Sequence, residues 1–399
     1  MKMKPALFFF EWIRRAGRPK ATVMNTSSRL RARIHWPVPA PTRRTAPRAL
    51  QALPETSALA HLSTVTTLSV DSGDLELVKK MVEHGGCTDA TTNPLFVSQA
   101  GQEDNPVYKS MVDEAVRYAV EECWDPEDPH GGRLGLAVDR LAVNLGAAIA
   151  SIVPGYVSTE VRIEYAFDEA KMHMQACRIL SMYRELGVPT DRVLIKLPGT
   201  WEGIQAARKL EATGFKTNIT LVFGLAQAVA AAQAGAHLIS PFPGRVLEWY
   251  KANDGLPESV PVEQDPGVIL VRQIHNYYKV HNYETIVMPA SWRSPTGNDP
   301  LDEIIALAGV DRMTIPPPLL DALAERDGSE LQRALSPEQG AADCDMEKWD
   351  ELTEQEFQWR VAMDGATNDK LAAGIRAFAS DTDKLVTILR DHPDMNFEF

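Results

Sequence analysis

The chain has 399 residues, 44% of them hydrophobic, and a formal net charge of −13. That is enough apolar mass for one large domain, and an acidic surface gives no support to nucleic-acid or membrane binding. The four cysteines, Cys87, Cys123, Cys177 and Cys344, are far apart and show no C-x-x-C spacing, so a disulfide framework or cysteine metal site is not expected. No apolar run approaches the roughly 18 residues of a membrane span.

The charge is unevenly placed. Residues 1–60 carry twelve Lys or Arg and only two acids, Glu11 and Glu55. This stretch is rich in Arg, Pro, Ser and Thr, and WPVPAPTRRTAP within it would break a long helix. It reads as a basic, disordered extension, with a mitochondrial transit peptide as the alternative. The expected domains are therefore this extension, 1–60, and a folded part, 61–395.

Beyond residue 60, strands and helices alternate. TTLSVDS (66–72) reads as a strand, and LELVKKMVEHGG (75–86) as a helix stopped by glycine. CTDATTN (87–93) is a strand; 106–123 and 141–153 read as helices. YVSTEV (156–161) is a strand, and AKMHMQACRILSMYRELG an amphipathic helix ending at Gly187. VLIKL (193–197) is a short apolar run around one lysine, followed by a helix over 200–214. KTNITLVF (216–223) and HLISPF (237–242) are strands on either side of the helix LAQAVAAAQAG. A helix over 267–282 precedes the strand ETIVMPAS (284–291), the helix LDEIIALAG, the strand RMTIPP (312–317) and the helix PLLDALAER. Residues 328–352 read as an acidic connection. A helical pattern over 353–390, with Trp359, Leu371, Ile375, Phe378 and Leu385 as packing residues, reads as a helix closing over the barrel.

Eight strands in strict alternation with helices predict a single α/β domain, a (β/α)8 TIM barrel with an extra C-terminal helix. The runner-up, a doubly wound open sheet, lacks a G-x-G-x-x-G after the first strand.

In such a barrel, catalytic side chains come from the C-terminal ends of strands. The polar residues there are Asp71, Asp89, Thr91, Asn93, Glu160, Lys196, Asn218, Thr220, Ser240, Ser291 and Arg293. One lysine with carboxylates, amides, hydroxyls and arginines suits carbonyl chemistry on a phosphorylated sugar. Lys196 is the most informative. Burial penalises an ammonium against a neutral amine, and a neutral amine attacks a ketone to form a Schiff base. A lysine paired with a buried acid is an equally good reading of the strand alone. Asp71 could carry protons or cap a helix, and Glu160 could carry protons or be a surface acid. Arg245 and Arg293 suit a phosphate or a surface ion pair.

The motifs TDATTNP (88–94), STEV (158–161), RVLIKLPGTWEGI (192–204), TNITLVFGLAQAVA (217–230), HLISPFPGRVLEWY (237–250) and YETIVMPASWR (283–293) together resemble the transaldolase family in its classical long form. The resemblance runs from about residue 60 to about 390. It implies transfer of a dihydroxyacetone unit from sedoheptulose 7-phosphate to glyceraldehyde 3-phosphate, in the non-oxidative pentose phosphate pathway. It implies neither cofactor nor metal, phosphorylated sugars as partners, a cytoplasmic location and a homodimer, for which the sequence carries no interface signal. By motif, Lys196 is the Schiff-base former, Asp71 the acid/base for carbon–carbon cleavage, and Glu160 activates a water with Thr220. Asn93 and Asn218 hold the hydroxyls, with Thr91 and Ser240 beside them, and Arg245, Ser291 and Arg293 take the phosphate. Phe242 matches the transferase form rather than an aldolase that releases free dihydroxyacetone; the alternatives are that lyase and a barrel that has lost turnover.

Departures stand beside these residues. Pro198-Gly199 replaces the family's Ala-Ser, Pro243 replaces a valine, and Pro289-Ala290-Ser291-Trp292-Arg293-Ser294 replaces Gly-Ala-Ser-Phe-Arg-Asn. SPTGNDP after Arg293 is longer than usual. These loop changes point to a divergent paralogue with altered acceptor preference.

Overall fold

A computed structural model describes residues 56–102, 105–123, 131–329, 331–342 and 344–395. The basic extension expected over 1–60 lies outside the described residues up to position 55. The described chain opens with the helix Ala58–Val65, capped by the Ser57 hydroxyl, which spans the expected boundary.

The eight expected strands are all present: β1 (Thr67–Asp71), β2 (Cys87–Thr91), β3 (Val157–Glu160), β4 (Val193–Pro198), β5 (Lys216–Val222), β6 (Leu238–Pro241), β7 (Ile286–Val287) and β8 (Arg312–Ile315). They form one parallel sheet in the order β7-β6-β5-β4-β3-β2-β1-β8. Its two ends approach each other: the Thr314 amide of β8 donates to the Pro289 carbonyl just past β7 at 3.2 Å. The sheet is thus curled nearly shut into a (β/α)8 barrel with helices outside.

Every residue of β4 is buried, because one face meets the helices and the other the barrel interior. Val193, Ile195 and Leu197 join the large core beneath the helices, whereas Leu194 packs with Leu238 and Met288 in a small interior cluster. Side chains two apart share a face of a strand. Lys196 therefore stands in the interior one layer above Leu194, as Ser240 stands above Leu238.

The helices start and stop where the chemistry of their ends dictates. Asp74 caps Leu75–Gly85 by accepting from the Glu76 and Leu77 amides at 2.9 and 3.0 Å, and Gly86 ends it at φ 67°. The helix expected over 141–153 is longer, Gly132–Ile152. It is long and apolar enough to cross a membrane by length and composition, yet 78% of its most apolar stretch is buried inside the protein. Its polar residues are paired there: Arg140 with Glu114 at 2.7 Å, and Asp139 with Arg178.

Other boundaries depart from the sequence reading. The strand expected over 284–291 shrinks to two residues, because Pro289 has no N–H to donate and Ser291 turns at φ 67°. Even so, the Met288 and Ala290 amides still donate to Ile239 and Pro241 at 2.9 Å each. The helix expected over 301–309 is only Asp302–Ala306, and the connection over 328–352 contains a short helix, Pro337–Ala342. The C-terminal pattern is two helices, Glu354–Met363 and Gly365–Arg390, the second capped by Asp364. Trp359 is exposed, at 66%, not a packing residue, while Leu371 and Phe378 are buried with Leu221, Phe223 and Phe242 over the C-terminal end of the barrel.

The end of β5 is built for that helix. Leu221 takes a left-handed φ of 58°, and the register with β6 shifts between Ile219 and Val222. A Cβ on Gly374 would sit 2.8 Å from Leu221, so glycine is what lets the helix approach. Gln227 clamps the irregular turn, accepting from the Phe223 amide and donating to the Leu221 and Gly199 carbonyls.

Candidate active site

Glu160, Lys196 and Asn218 are register neighbours across β3, β4 and β5, so one level of the barrel carries an acid, an amine and an amide side by side. Lys196 Nζ lies 3.2 Å from Glu160 Oε2, donates to the Thr92 carbonyl at 3.3 Å, and sits 5.7 Å from the centre of the Phe378 ring. Lys196 as a whole is 6% exposed. The sequence offered a Schiff-base lysine or a lysine paired with a buried acid; the geometry makes the paired lysine also the one that faces the cavity.

On the opposite wall, Asp71 ends β1 and Thr91, its register partner, ends β2. The Thr91 hydroxyl donates to Asp71 Oδ1 at 2.8 Å and lies 2.6 Å from the Thr314 hydroxyl of β8. Burial pushes the Asp71 carboxyl above its ordinary range, against the charge of Lys196, the Thr91 hydrogen bond and the charge of Arg245. Burial likewise pushes Glu160 up, with Lys196 opposing it. Glu160 Oε1 and the Thr220 hydroxyl are buried with no hydrogen-bond partner among the described residues, while Glu160 Oε2 meets the Lys196 amine. Such orphaned polar atoms are costly unless something else satisfies them.

Asp71, Thr91, Asn93, Lys196, Ser240, Phe242, Arg245, Ser291, Ala290, Thr314 and Phe378 surround one cavity of about 110 Å³. Asn218 joins it through Ser240, whose hydroxyl donates to Asn218 Oδ1 at 2.9 Å, while Asn218 Nδ2 donates to Ser158 at 3.3 Å. Asn93 Oδ1 accepts the Phe96 amide at 3.1 Å at the start of the helix Pro94–Gln102. Thr220 stands beside Pro198 in register, two residues beyond Asn218 on the same face.

The arginines differ. Arg245, in the first turn after β6, lies 5.0 Å from the Phe242 ring and its Nε donates to the Ser291 hydroxyl at 3.3 Å. Burial and the neighbouring charge of Arg293 disfavour its protonated form. Arg293 is half-exposed and outside the cavity lining. Its Nε donates to Glu248 at 2.5 Å, and Lys370 meets the other Glu248 oxygen at 3.3 Å. Arg245, beside the Ser291 hydroxyl, thus stands in the wall of a cavity that also holds the buried amine and Asp71, with Arg293 next to it but turned to Glu248.

The transaldolase/fructose-6-phosphate aldolase family model matches residues 68–389, nearly the whole described barrel. The chain is a member of that family. It is 44% identical to a transaldolase from Yersinia pseudotuberculosis serotype O:3 (strain YPIII) over 84% of this chain and 99% of the relative. It is 43% identical to one from Alteromonas mediterranea over 84% and 98%, and 42% identical to one from Shewanella sp. (strain ANA-3) over 83% and 97%. It is thus an enzyme of the transaldolase family.

Two residues that line the cavity of this transaldolase-family barrel, Thr314 and Phe378, were not singled out as site residues in the sequence. Thr314 stands at the interior level of β8, two residues beyond Arg312, a position the alternation of RMTI could have given. Asp89, grouped with the strand-end residues, belongs one layer lower: it accepts the Tyr156 amide at 2.7 Å and pairs with Arg312. Phe378, expected only to pack, reaches the cavity from the C-terminal helix.

The departures from the family pattern have structural reasons. A Cβ on Gly199 would lie 2.8 Å from Gln227 Nε2, so glycine admits the Gln227 clamp. Pro243 occupies the first turn of the helix Pro243–Asn253, where its missing N–H costs nothing. Trp292 is buried, and its indole N–H donates to the Thr314 carbonyl at 2.8 Å, tying the Ser291–Arg293 turn to β8.

Proposed function

We propose that the chain is a transaldolase that moves a dihydroxyacetone unit between phosphorylated sugars through a Schiff base on Lys196. The observation that carries this reading is the Lys196 amine, buried in the barrel 3.2 Å from Glu160 and lining the same cavity as Asp71.

In this reading Lys196 attacks the C2 ketone of the donor. Glu160 and Thr220, with orphaned oxygens near the amine, hold the water that shuttles protons while the carbinolamine loses hydroxide and the imine forms. Asp71 takes the proton from the C4 hydroxyl. The C3–C4 bond breaks, its electron pair passes to the iminium, and an aldose phosphate leaves. The resulting enamine attacks the acceptor aldehyde, Asp71 returns its proton to the new hydroxyl, and water hydrolyses the imine. Asn93, Asn218 and Ser240 orient the dihydroxyacetone hydroxyls. Arg245, Ser291 and Arg293 grip the phosphate at the rim, where an arginine fork suits it. The donor is sedoheptulose 7-phosphate and the acceptor glyceraldehyde 3-phosphate, as the resemblance implies. The same resemblance supports a cytoplasmic homodimer.

The family model spans both transferases and fructose 6-phosphate aldolases. Phe242 lines the cavity, in keeping with the transferase form. The test supplies fructose 6-phosphate with and without erythrose 4-phosphate. A transferase makes sedoheptulose 7-phosphate and little free dihydroxyacetone; free dihydroxyacetone at the same rate without acceptor would make the chain a lyase.

A further inference from the structure

A second acidic pair lies behind the rim, outside the reaction just described. Asp265 and Glu303 are both fully buried, at 0% exposure. Asp265 Oδ1 caps the helix Pro266–Val280, accepting the Gly267 and Val268 amides at 2.7 and 3.3 Å. Glu303 Oε2 accepts the Arg293 backbone N–H at 2.6 Å. The remaining oxygens, Asp265 Oδ2 and Glu303 Oε1, are buried and take a hydrogen from no other group among the described residues.

The two carboxyls interact with each other. Two ionised carboxylates held together away from water repel strongly, whereas one shared proton turns the contact into an O–H···O bond. Burial, then the neighbouring Asp265, pushes Glu303 up to about 9; burial also pushes Asp265 up. The charged groups facing the pair are Lys251, from the helix Pro243–Asn253, which favours ionised Asp265, and Arg293, which favours ionised Glu303. Lys251 is itself turned to the Glu258 and Pro295 carbonyls.

The surrounding backbone has no slack. A Cβ on Gly244 would lie 2.4 Å from the Ser291 carbonyl oxygen and 2.9 Å from the Arg293 nitrogen. A Cβ on Gly267 would lie 2.2 Å from the Pro243 carbonyl oxygen. The segment bearing Arg245, the turn bearing Ser291 and Arg293, and the helix capped by Asp265 are thus packed backbone to backbone. A displacement of Glu303 passes directly to Arg293.

We propose that Asp265 and Glu303 share one proton and act as positioning residues for the phosphate rim, holding the Ser291–Arg293 turn by the bond from the Arg293 amide to Glu303. The proposal rests on the reading of Arg245, Ser291 and Arg293 as the phosphate grip. When the shared proton is lost, the pair repels, the turn loosens, and anion binding weakens while the chemistry at Lys196 is spared.

The test measures the inhibition constant of inorganic phosphate, competing with fructose 6-phosphate, from about pH 7 to about pH 10, with each constant expressed per dianion because free phosphate becomes almost wholly dianionic only above about pH 8. Circular dichroism follows folding in each variant. Wild type should bind phosphate ever more weakly through the upper half of this range. Glu303→Gln places a neutral amide that donates to Asp265 and accepts from Arg293. It should keep the wild-type constant near pH 7 and remove the alkaline loss. Glu303→Ala should weaken phosphate about tenfold, with kcat changed much less than KM. A Glu303→Gln enzyme with the same alkaline loss as wild type overturns the shared proton, and this arm decides the matter if the alanine variant fails to fold. A folded Glu303→Ala with unchanged phosphate binding overturns the positioning role. Arg293→Ala separates the two readings. If it weakens phosphate while the Glu303 variants behave as wild type, only the pair's role fails; if it has no effect, the phosphate grip itself is misplaced.

Discussion

Glu160 at the end of β3 and Lys196 within β4 are register partners, and their side chains meet at 3.2 Å inside the barrel. Strand pairing alone brings the acid to the amine. A carboxyl so placed can take the proton an amine must shed before attacking a ketone, and burial raises its pKa, which favours that transfer against the opposing charge of Lys196.

Replacing Glu160 by Gln should therefore slow both entry into the imine and exit from it, by roughly 10²–10⁴-fold. Rapid-mixing measurements of adduct formation and of product release check both halves. Loss of one half alone would confine Glu160 to a single step.

Asp71→Asn should separate imine formation from cleavage. The imine on Lys196 should still form and accumulate, while turnover falls by roughly 10²–10⁴-fold. Thr91→Val removes a hydrogen bond that favours the ionised Asp71 carboxylate, so its pKa should rise further. With Asp71 as the proposed base in cleavage, the acidic limb of the kcat/KM profile should move to higher pH. An unmoved limb would assign it to another group.

Global stability should fall as pH rises from the ordinary carboxylate range towards about 9. The folded pKa of Glu303 is raised to about 9 from the ordinary 4.5 of a glutamate, so between those limits the native state holds a proton that the unfolded chain has released. Unfolding then becomes easier by up to ~1.4 kcal/mol per pH unit from this group. The contribution is full below the lower limit and gone above the upper one. Glu303→Gln should flatten the slope of urea-derived stability across that window, and an unchanged slope would reject the raised pKa.

Gly244→Ala should disturb the rim without touching the amine. Its Cβ would press on the Ser291 carbonyl oxygen and the Arg293 nitrogen, both backbone atoms that cannot rotate away. A cost of about 1–3 kcal/mol in stability and a raised KM for phosphorylated donors are expected, with imine formation retained. Equilibrium unfolding and steady-state kinetics read the two effects.

Much of this arrangement was legible in the sequence because a barrel strand announces itself twice. Its apolar run marks burial on both faces, and a lone polar residue such as Lys196 in VLIKLP marks the interior face. The short β7 was hidden by Pro289, whose apolar neighbours continue the pattern after the ladder has lost a donor. Thr314 was hidden because threonine is ordinary in a strand, and only closure of the barrel brings it to Thr91. Asp265 and Glu303 each read locally as an acid near a helix N-terminus; their contact depends on the packing of two helices far apart in sequence. Trp359 follows the helical period of its neighbours, yet its side chain faces outward.

The most direct test of Lys196 as the covalent nucleophile is reductive trapping. Incubation with fructose 6-phosphate followed by borohydride should give a stable adduct on the peptide containing Lys196, detected by mass, and Lys196→Ala should fold, form no adduct and lose turnover. An adduct on another lysine, or substantial turnover in the folded alanine variant, would contradict the account.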